Sequence, residues 1–96
     1  MKLLAYSRTL VDDAAAYTAE ILRAEARHVW ELQQAGIVRE IYFTQDREAV
    51  LILEGRDAAE AQGLLAQFPL VQAKLIEFKV DELTAYDGYT RLFDAK

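Results

Sequence analysis

Residues 25–43, EARHVWELQQAGIVREIYF, decide the fold. Residues 25–35 finish a long amphipathic helical pattern, Gly36 is a good stop for it, and 37–43 are rich in β-branched and aromatic residues. The stretch also holds the only His, the only Trp and a Glu in an unusual place. At about 100° per residue, Leu10, Val11, Ala14, Thr18, Ile21, Leu22, Val29 and Leu32 fall on one arc. Arg23, Arg27, Glu31 and Gln34 fall opposite. Glu25 sits in the middle of the apolar arc, His28 at its edge, and Trp30 among the charges.

Upstream, KLLAYSR at 2–8 reads as a first strand. Thr9 with Asp12 fits a capping box, and 11–35 then reads as one uninterrupted helix, because neither Gly nor Pro breaks it. Downstream, 37–45 is a second strand, Gln45-Asp46-Arg47 a turn, and 48–54, EAVLILE, a third strand completing a hairpin. The third strand is almost continuously apolar, as expected of a strand covered on both faces. Asp57 and Glu60 form a capping box for a second helix over 57–68, with Ala58, Ala61, Leu64, Leu65 and Phe68 on its buried face. Gly63 inside it either permits close packing or is simply tolerated. Pro69 ends the helix. Residues 71–81 read as a fourth strand. Residues 82–96 form an arm with a turn at Asp87-Gly88.

This order is βαββαβ, an α+β ferredoxin-like domain spanning 1–96, with a four-stranded antiparallel sheet and two helices on one face. The other face cannot be polar throughout, since strands two and three carry apolar residues of both parities. Covering it with the same face of a second subunit predicts a homodimer or a higher homo-oligomer. The sheets of such a dimer enclose a shared, partly apolar interior that suits a small ligand.

Composition agrees. Ninety-six residues that are 53% hydrophobic make one small domain with apolar surface to spare. A net charge of −5 repels phosphate backbones and argues against nucleic-acid binding. No apolar run is long enough to span a membrane. With no Cys and one His, thiolate and histidine-rich metal sites are not expected, nor is a Cys nucleophile. The chain reads as soluble and cytoplasmic, although the lack of Cys is equally compatible with a periplasm.

Glu25, the Leu32-Gln33 pair, Gly36 and Arg39, together with Phe68-Pro69-Leu70 ahead of the last strand, resemble the dimeric α/β-barrel superfamily. Within it they resemble the muconolactone isomerase-like and YciI-related groups. In that family a Glu stands eleven residues before a Gly, and an Arg three residues after it. The resemblance implies a cofactor-free isomerase moving a proton on a small organic acid, oxo-acid or lactone, in a pocket between sheet and helices at the dimer. This chain departs from the pattern at Ala26, where the family has Lys, and at Glu40, where it has His. The YciI-type His–Asp pair near the strands has no counterpart here, and the chain has no Asn for the chemistry of the Asn-dependent monooxygenases.

Glu25 is the sharpest candidate for catalysis, since a carboxylate amid apolar neighbours is desolvated and gains a pKa suited to proton transfer. The structural alternative pairs it with Arg39. Arg39 shares a strand face with Ile37, Ile41 and Phe43, where its fork of donors would hold a carboxylate or lactone oxygen, or else an ion pair. His28 lies one turn from Glu25, within reach of an acid–base pair, or is a packing residue. Tyr6 and Tyr42 are candidate substrate-binding hydroxyls, with ordinary aromatic core as the alternative. Trp30 and the arm residues Tyr86, Tyr89, Leu92 and Phe93 are expected at a subunit contact, with a mobile end as the alternative for the arm. A non-catalytic dimer that binds a small molecule or serves an assembly is the competing function.

Overall fold

The first strand, β1 (Lys2–Thr9), runs down the middle of a four-stranded sheet of order β2-β3-β1-β4. A computed structural model provides this view, and it describes residues 1–93. The other strands are β2 (Val38–Phe43), β3 (Ala49–Glu54) and β4 (Ile76–Glu82), and every pairing is antiparallel. The helices are α1 (Ala19–Gln34), α2 (Ala58–Leu65) and the short α3 (Pro69–Gln72) and α4 (Thr90–Phe93). The fold is therefore ferredoxin-like α+β.

Alternation in β1 divides the two faces of the sheet. Leu3, Ala5 and Ser7 are buried on the helix side, while Leu4 and Tyr6 are half-covered on the other. Register carries this division into the neighbouring strand, where Leu3 pairs with Leu53 and Ala5 with Leu51. The core joins these residues to Val38 of β2, Ala61 and Leu65 of α2, and Phe68. On the bare face, Leu4, Tyr6, Val50 and Ile52 form an apolar centre.

Helix α1 is shorter than the sequence pattern suggests. It starts at Thr18, whose side chain accepts a hydrogen bond from the Ile21 amide at 3.2 Å. The expected cap at Thr9 and Asp12 does not form. Residues 10–17 are instead held by tertiary bonds, with the Leu10 amide donating to Leu75 O and the Tyr17 hydroxyl to Val11 O. Within this segment Asp13 caps a single 3₁₀ turn, Ala14–Ala16. Local helix propensity loses here to contacts with the start of β4.

Both helix-to-strand junctions end the same way. Gly36, at φ 78°, follows α1, with its own amide bonded to Gln33 O and that of Ile37 to Leu32 O. Lys74, at φ 62°, repeats the pattern after α3, with its amide on Val71 O and that of Leu75 on Leu70 O. These are Schellman closures. Helix α2 stops at Leu65, short of the expected end at 68, and Pro69 opens α3 at its first position, so β4 begins at Ile76 and not at 71.

In β2 a bulge between Val38 and Glu40 breaks the alternation. Val38 and Ile41 consequently pair with the helix-facing Leu53 and Leu51. Arg39 is the inserted residue. Gly63 sits where an added Cβ would meet nothing within 4 Å, so it is tolerated and is not required for packing. Beyond β4, the arm places Tyr86 edge-on against Tyr89 at 4.9 Å, and the expected turn there falls at Gly88-Tyr89. The radius of gyration, 16.3 Å, exceeds the roughly 12.5 Å expected of a compact chain of this length. No helix among the described residues is long and apolar enough to cross a membrane.

Candidate active site

None of α1's residues is fully buried: Val29 and Leu32 pack against the core, and a gap lies between part of the helix and the sheet. The gap beneath it is a cavity of about 690 Å³, a size suited to a small organic molecule. Its floor is the helix side of the sheet: Ser7 and Thr9 from β1, Leu51 from β3, and Ile76 and Phe78 from β4. Leu22, Glu25 and Val29 of α1 form its roof, and Phe68 and Leu70 close one wall. Ile41 and Phe43 of the edge strand lie at its open side, where Phe43 is 60% exposed.

Glu25 is a polar group in this apolar roof. It is half-buried, and one carboxylate oxygen accepts a hydrogen bond from the Leu70 amide at 3.0 Å. Burial raises its pKa above the ordinary carboxylate value, and the Leu70 N–H only partly offsets that effect. The local sequence explains the contact. Pro69 has no N–H, and the Leu70 amide at the first turn of α3 has no partner within its own helix. Glu25, reaching down from α1, supplies the acceptor.

A second carboxylate, Glu48, was not singled out by sequence. It lines the same cavity from the hairpin that joins β2 to β3. The Ser7 hydroxyl donates to its Oε1 at 2.7 Å and the Thr9 amide to its Oε2 at 3.0 Å. Ser7 is the only buried polar residue among those described, and it also accepts from the Ala49 amide at 2.7 Å. Partial burial opposes ionisation of Glu48, but the bonds from Ser7 and Thr9 outweigh it and hold the pKa below the ordinary value. Beside it, Arg47 takes a left-handed φ of 65° and lays its guanidinium 4.1 Å above the Phe43 ring. Tyr17 lines the cavity near Asp12 and Glu48, and burial first, then those two charges, raises its pKa. A period-2 reading of 48–54 makes Glu48 the outer end of a strand, and only the pairing of β3 with β1 brings it against Ser7.

The other sequence candidates lie elsewhere. Arg39, exposed at the bulge, is not part of the cavity lining, and it does not share the helix-side face of Ile41 and Phe43. Its charge acts on Glu54, where the Met1 ammonium chiefly, and Arg39 more weakly, hold the pKa down. No ion pair joins Arg39 to Glu25 among the described residues. His28 makes no hydrogen bond with Glu25. Its ring packs edge-on against Phe68 at 4.9 Å, and its Nε2 is buried without a partner. Tyr6 and Tyr42 occupy the bare face of the sheet, away from the cavity. There Tyr6 lies 5.8 Å from the Lys79 ammonium, and the exposed Tyr42 donates to Glu40 at 2.8 Å. Trp30 is 60% exposed on the outer side of α1. Among the described residues no group of acidic, His or Cys side chains is arranged to hold a metal.

No family model matches the sequence, and no curated protein matches it. Solved structures do. Muconolactone isomerase superposes with a TM-score of 0.72 over 91% of this chain and 92% of its own, at 19% identity. The 5-chloro-2-hydroxyhydroquinone dehydrochlorinase of Burkholderia phenoliruptrix AC1100, solved with 2,5-dihydroxybenzoquinone, superposes with a TM-score of 0.69 over 92% of this chain and 98% of its own, at 15% identity. Identities this low speak for the fold alone: the chain shares the ferredoxin-like α+β fold of these two structures.

Proposed function

We propose that the chain is a small cofactor-free enzyme that moves a proton on an oxygenated organic compound, such as a lactone, bound beneath α1. Glu25 is the proton-transferring group. The observation that carries this reading is the Glu25 carboxylate itself, half-buried in an apolar cavity roof with its pKa raised and one oxygen held by the Leu70 amide. A carboxylate tuned upward toward neutral pH has the driving force for general acid–base work, which contributes typically 10²–10⁴-fold. Arg47, and not Arg39, is the cation placed to orient a substrate oxygen, since it alone of the two lines the cavity.

Two further facts support the reading over a purely structural role. Among the described residues Glu25 is not consumed by an ion pair, and the space beside it is open. The neighbours' names point the same way, one to a lactone isomerase and the other to a dehydrochlorinase of a hydroxylated hydroquinone. We further take the apolar centre of the bare sheet face, Leu4, Tyr6, Val50 and Ile52, as the surface that a second copy covers, and the extended arm as part of that assembly.

The test is turnover on a panel of lactones and hydroxylated ring compounds, followed by solvent deuterium incorporation. Glu25→Gln keeps an acceptor for the Leu70 amide and so leaves the fold unchanged, while turnover falls about 10²-fold or more. Full activity in that variant overturns the assignment.

A further inference from the structure

The hydrogen-bonding inventory of the cavity is lopsided. Its ionisable lining comprises three carboxylates, Asp12, Glu25 and Glu48, one guanidinium, Arg47, and the Tyr17 phenol. Its donors are few. The Ser7 hydroxyl is spent on Glu48 and the Tyr17 hydroxyl on Val11 O, which leaves the Thr9 hydroxyl and the guanidinium of Arg47, held over the Phe43 ring, to face a ligand. The acceptors are more plentiful. An ionised carboxylate has about four acceptor positions, and Glu48 uses two among the described contacts, on Ser7 and Thr9. Glu25 uses one, on Leu70. Between these polar ends the surface is aliphatic and aromatic.

From this we infer that Glu48 is a specificity-determining residue, a fixed negative charge that makes the cavity select uncharged ring compounds bearing hydroxyl groups and exclude their carboxylate analogues. The inference deepens the proposed function, and rests on the cavity being the site. Rigidity is what makes the selection work. Ser7 is buried, bonded on both sides, and anchored to the central strand, so Glu48 cannot swing away from an incoming anion. A ligand hydroxyl, by contrast, meets a ready acceptor. Its apolar ring lies against Phe68, Phe78 and Leu51, with Arg47 left to polarise a ring oxygen. A free organic acid would place a second negative charge within a few ångströms of Glu48 with a single guanidinium to offset both.

An isosteric pair tests this. 4-Hydroxybenzamide and 4-hydroxybenzoate differ in charge and hardly in shape. Each is titrated into the full-length protein at neutral pH and followed by amide NMR, with the Thr9 and Ala49 amides reporting on the Glu48 end of the cavity. The expected result is that the amide binds about tenfold or more tightly than the carboxylate, shifts the Thr9 resonance, and loses its advantage in Glu48→Gln. The wild-type ratio and the Thr9 shift stand by themselves should that variant prove too unstable to titrate. Equal or tighter binding of the carboxylate, a shift pattern that misses Thr9 and Ala49, or an unchanged ratio in a folded Glu48→Gln each overturns the inference while leaving Glu25 and the proposed reaction untouched. Failure of both probes to shift any cavity resonance overturns the cavity as the site, and with it both readings.

Discussion

The Glu25 carboxylate, on α1, accepts its hydrogen bond from the Leu70 amide, 45 residues further along the chain, at 3.0 Å. One contact thus ties the roof of the cavity to the wall that Pro69 starts, and it fixes the carboxylate where it is half-desolvated. The consequence for stability is directional. Glu25's pKa in the folded protein lies above its unfolded value, so the folded state binds the proton more tightly. The stability it contributes is present below the unfolded pKa and is lost as pH rises through the folded pKa. Glu25→Gln, which cannot ionise, is therefore expected to match the wild type in acid and to exceed it slightly at neutral pH. Melting temperatures of both proteins from about pH 4 to about pH 8 check this. A variant less stable than wild type at neutral pH would show that the ionised carboxylate is a net stabiliser.

Ser7 should behave oppositely to an ordinary surface serine. Its hydroxyl serves Glu48 and the Ala49 amide together, and the side chain is 7% exposed. Ser7→Ala leaves that half-buried amide without its acceptor and is expected to cost about 1–3 kcal/mol. That corresponds to a drop of at least about 4 °C in melting temperature for a domain of this size. Glu48 has the opposite pH sign to Glu25. Its lowered pKa contributes stability above the unfolded value that is lost as pH falls through the folded one, and Ser7→Ala should flatten that acid limb. Denaturation followed by circular dichroism across acidic pH measures both effects.

The glycines separate by conformation. Gly36 occupies the left-handed region at φ 78°, so Gly36→Ala strains the closure of α1 and is expected to cost about 1 kcal/mol. Gly63 lies within α2 with open space around its missing Cβ, so Gly63→Ala is expected to stabilise by roughly the same amount through helix propensity. Opposite shifts in chemical denaturation midpoint would establish the pair; a destabilising Gly63→Ala would mean that α2 is contacted there by another chain.

The bare sheet face gives the assembly prediction. Ile52 stands at its apolar centre, paired with Leu4 of β1 and Glu40 of β2. Placing a charge there, Ile52→Lys, should convert a dimer to a monomer without disturbing the helix-side core, because Leu51 and Leu53 point the other way. Light scattering on wild type and variant decides it. A wild type that stays monomeric and stably folded at micromolar concentration contradicts the proposal.

Much of this was legible in the sequence, and the losses have identifiable causes. Alternation in KLLAYSR and the 3.6-residue arc around Glu25 carried the element order and the inward side of α1, because both are set by which face is buried. Where contacts distant in sequence decide the backbone, the pattern misled. Residues 11–17 look helical, yet bonds to Leu75 hold them in a 3₁₀ turn and irregular chain. Thr18 is an effective cap but has the apolar Ile21 three residues on, whereas Thr9 has the acidic Asp12, so the capping-box signature pointed to Thr9 instead. The displacement of Arg39 has no local signal, since a single inserted residue in β2 reverses the parity of everything before it. Glu48 was hidden for a related reason: its partner Ser7 is 41 residues away, and neither residue type is unusual where it stands.

That single-residue alternation in β1 carries one more implication. Leu3, Ala5 and Ser7 belong to the cavity side, whereas Leu4, Tyr6 and Arg8 belong to the bare side. On the proposed function, ligand recognition and self-assembly are interleaved letter by letter in one eight-residue segment, yet separated in space by the thickness of a single sheet. Of the odd positions only Ser7 and Thr9 line the cavity, while Leu3 and Ala5 are held by the core, so what is bound can be retuned from the far end of the strand alone. A one-residue slip of the strand would exchange the two faces at once, carrying Leu4 and Tyr6 to the cavity side and Ser7 away from Glu48.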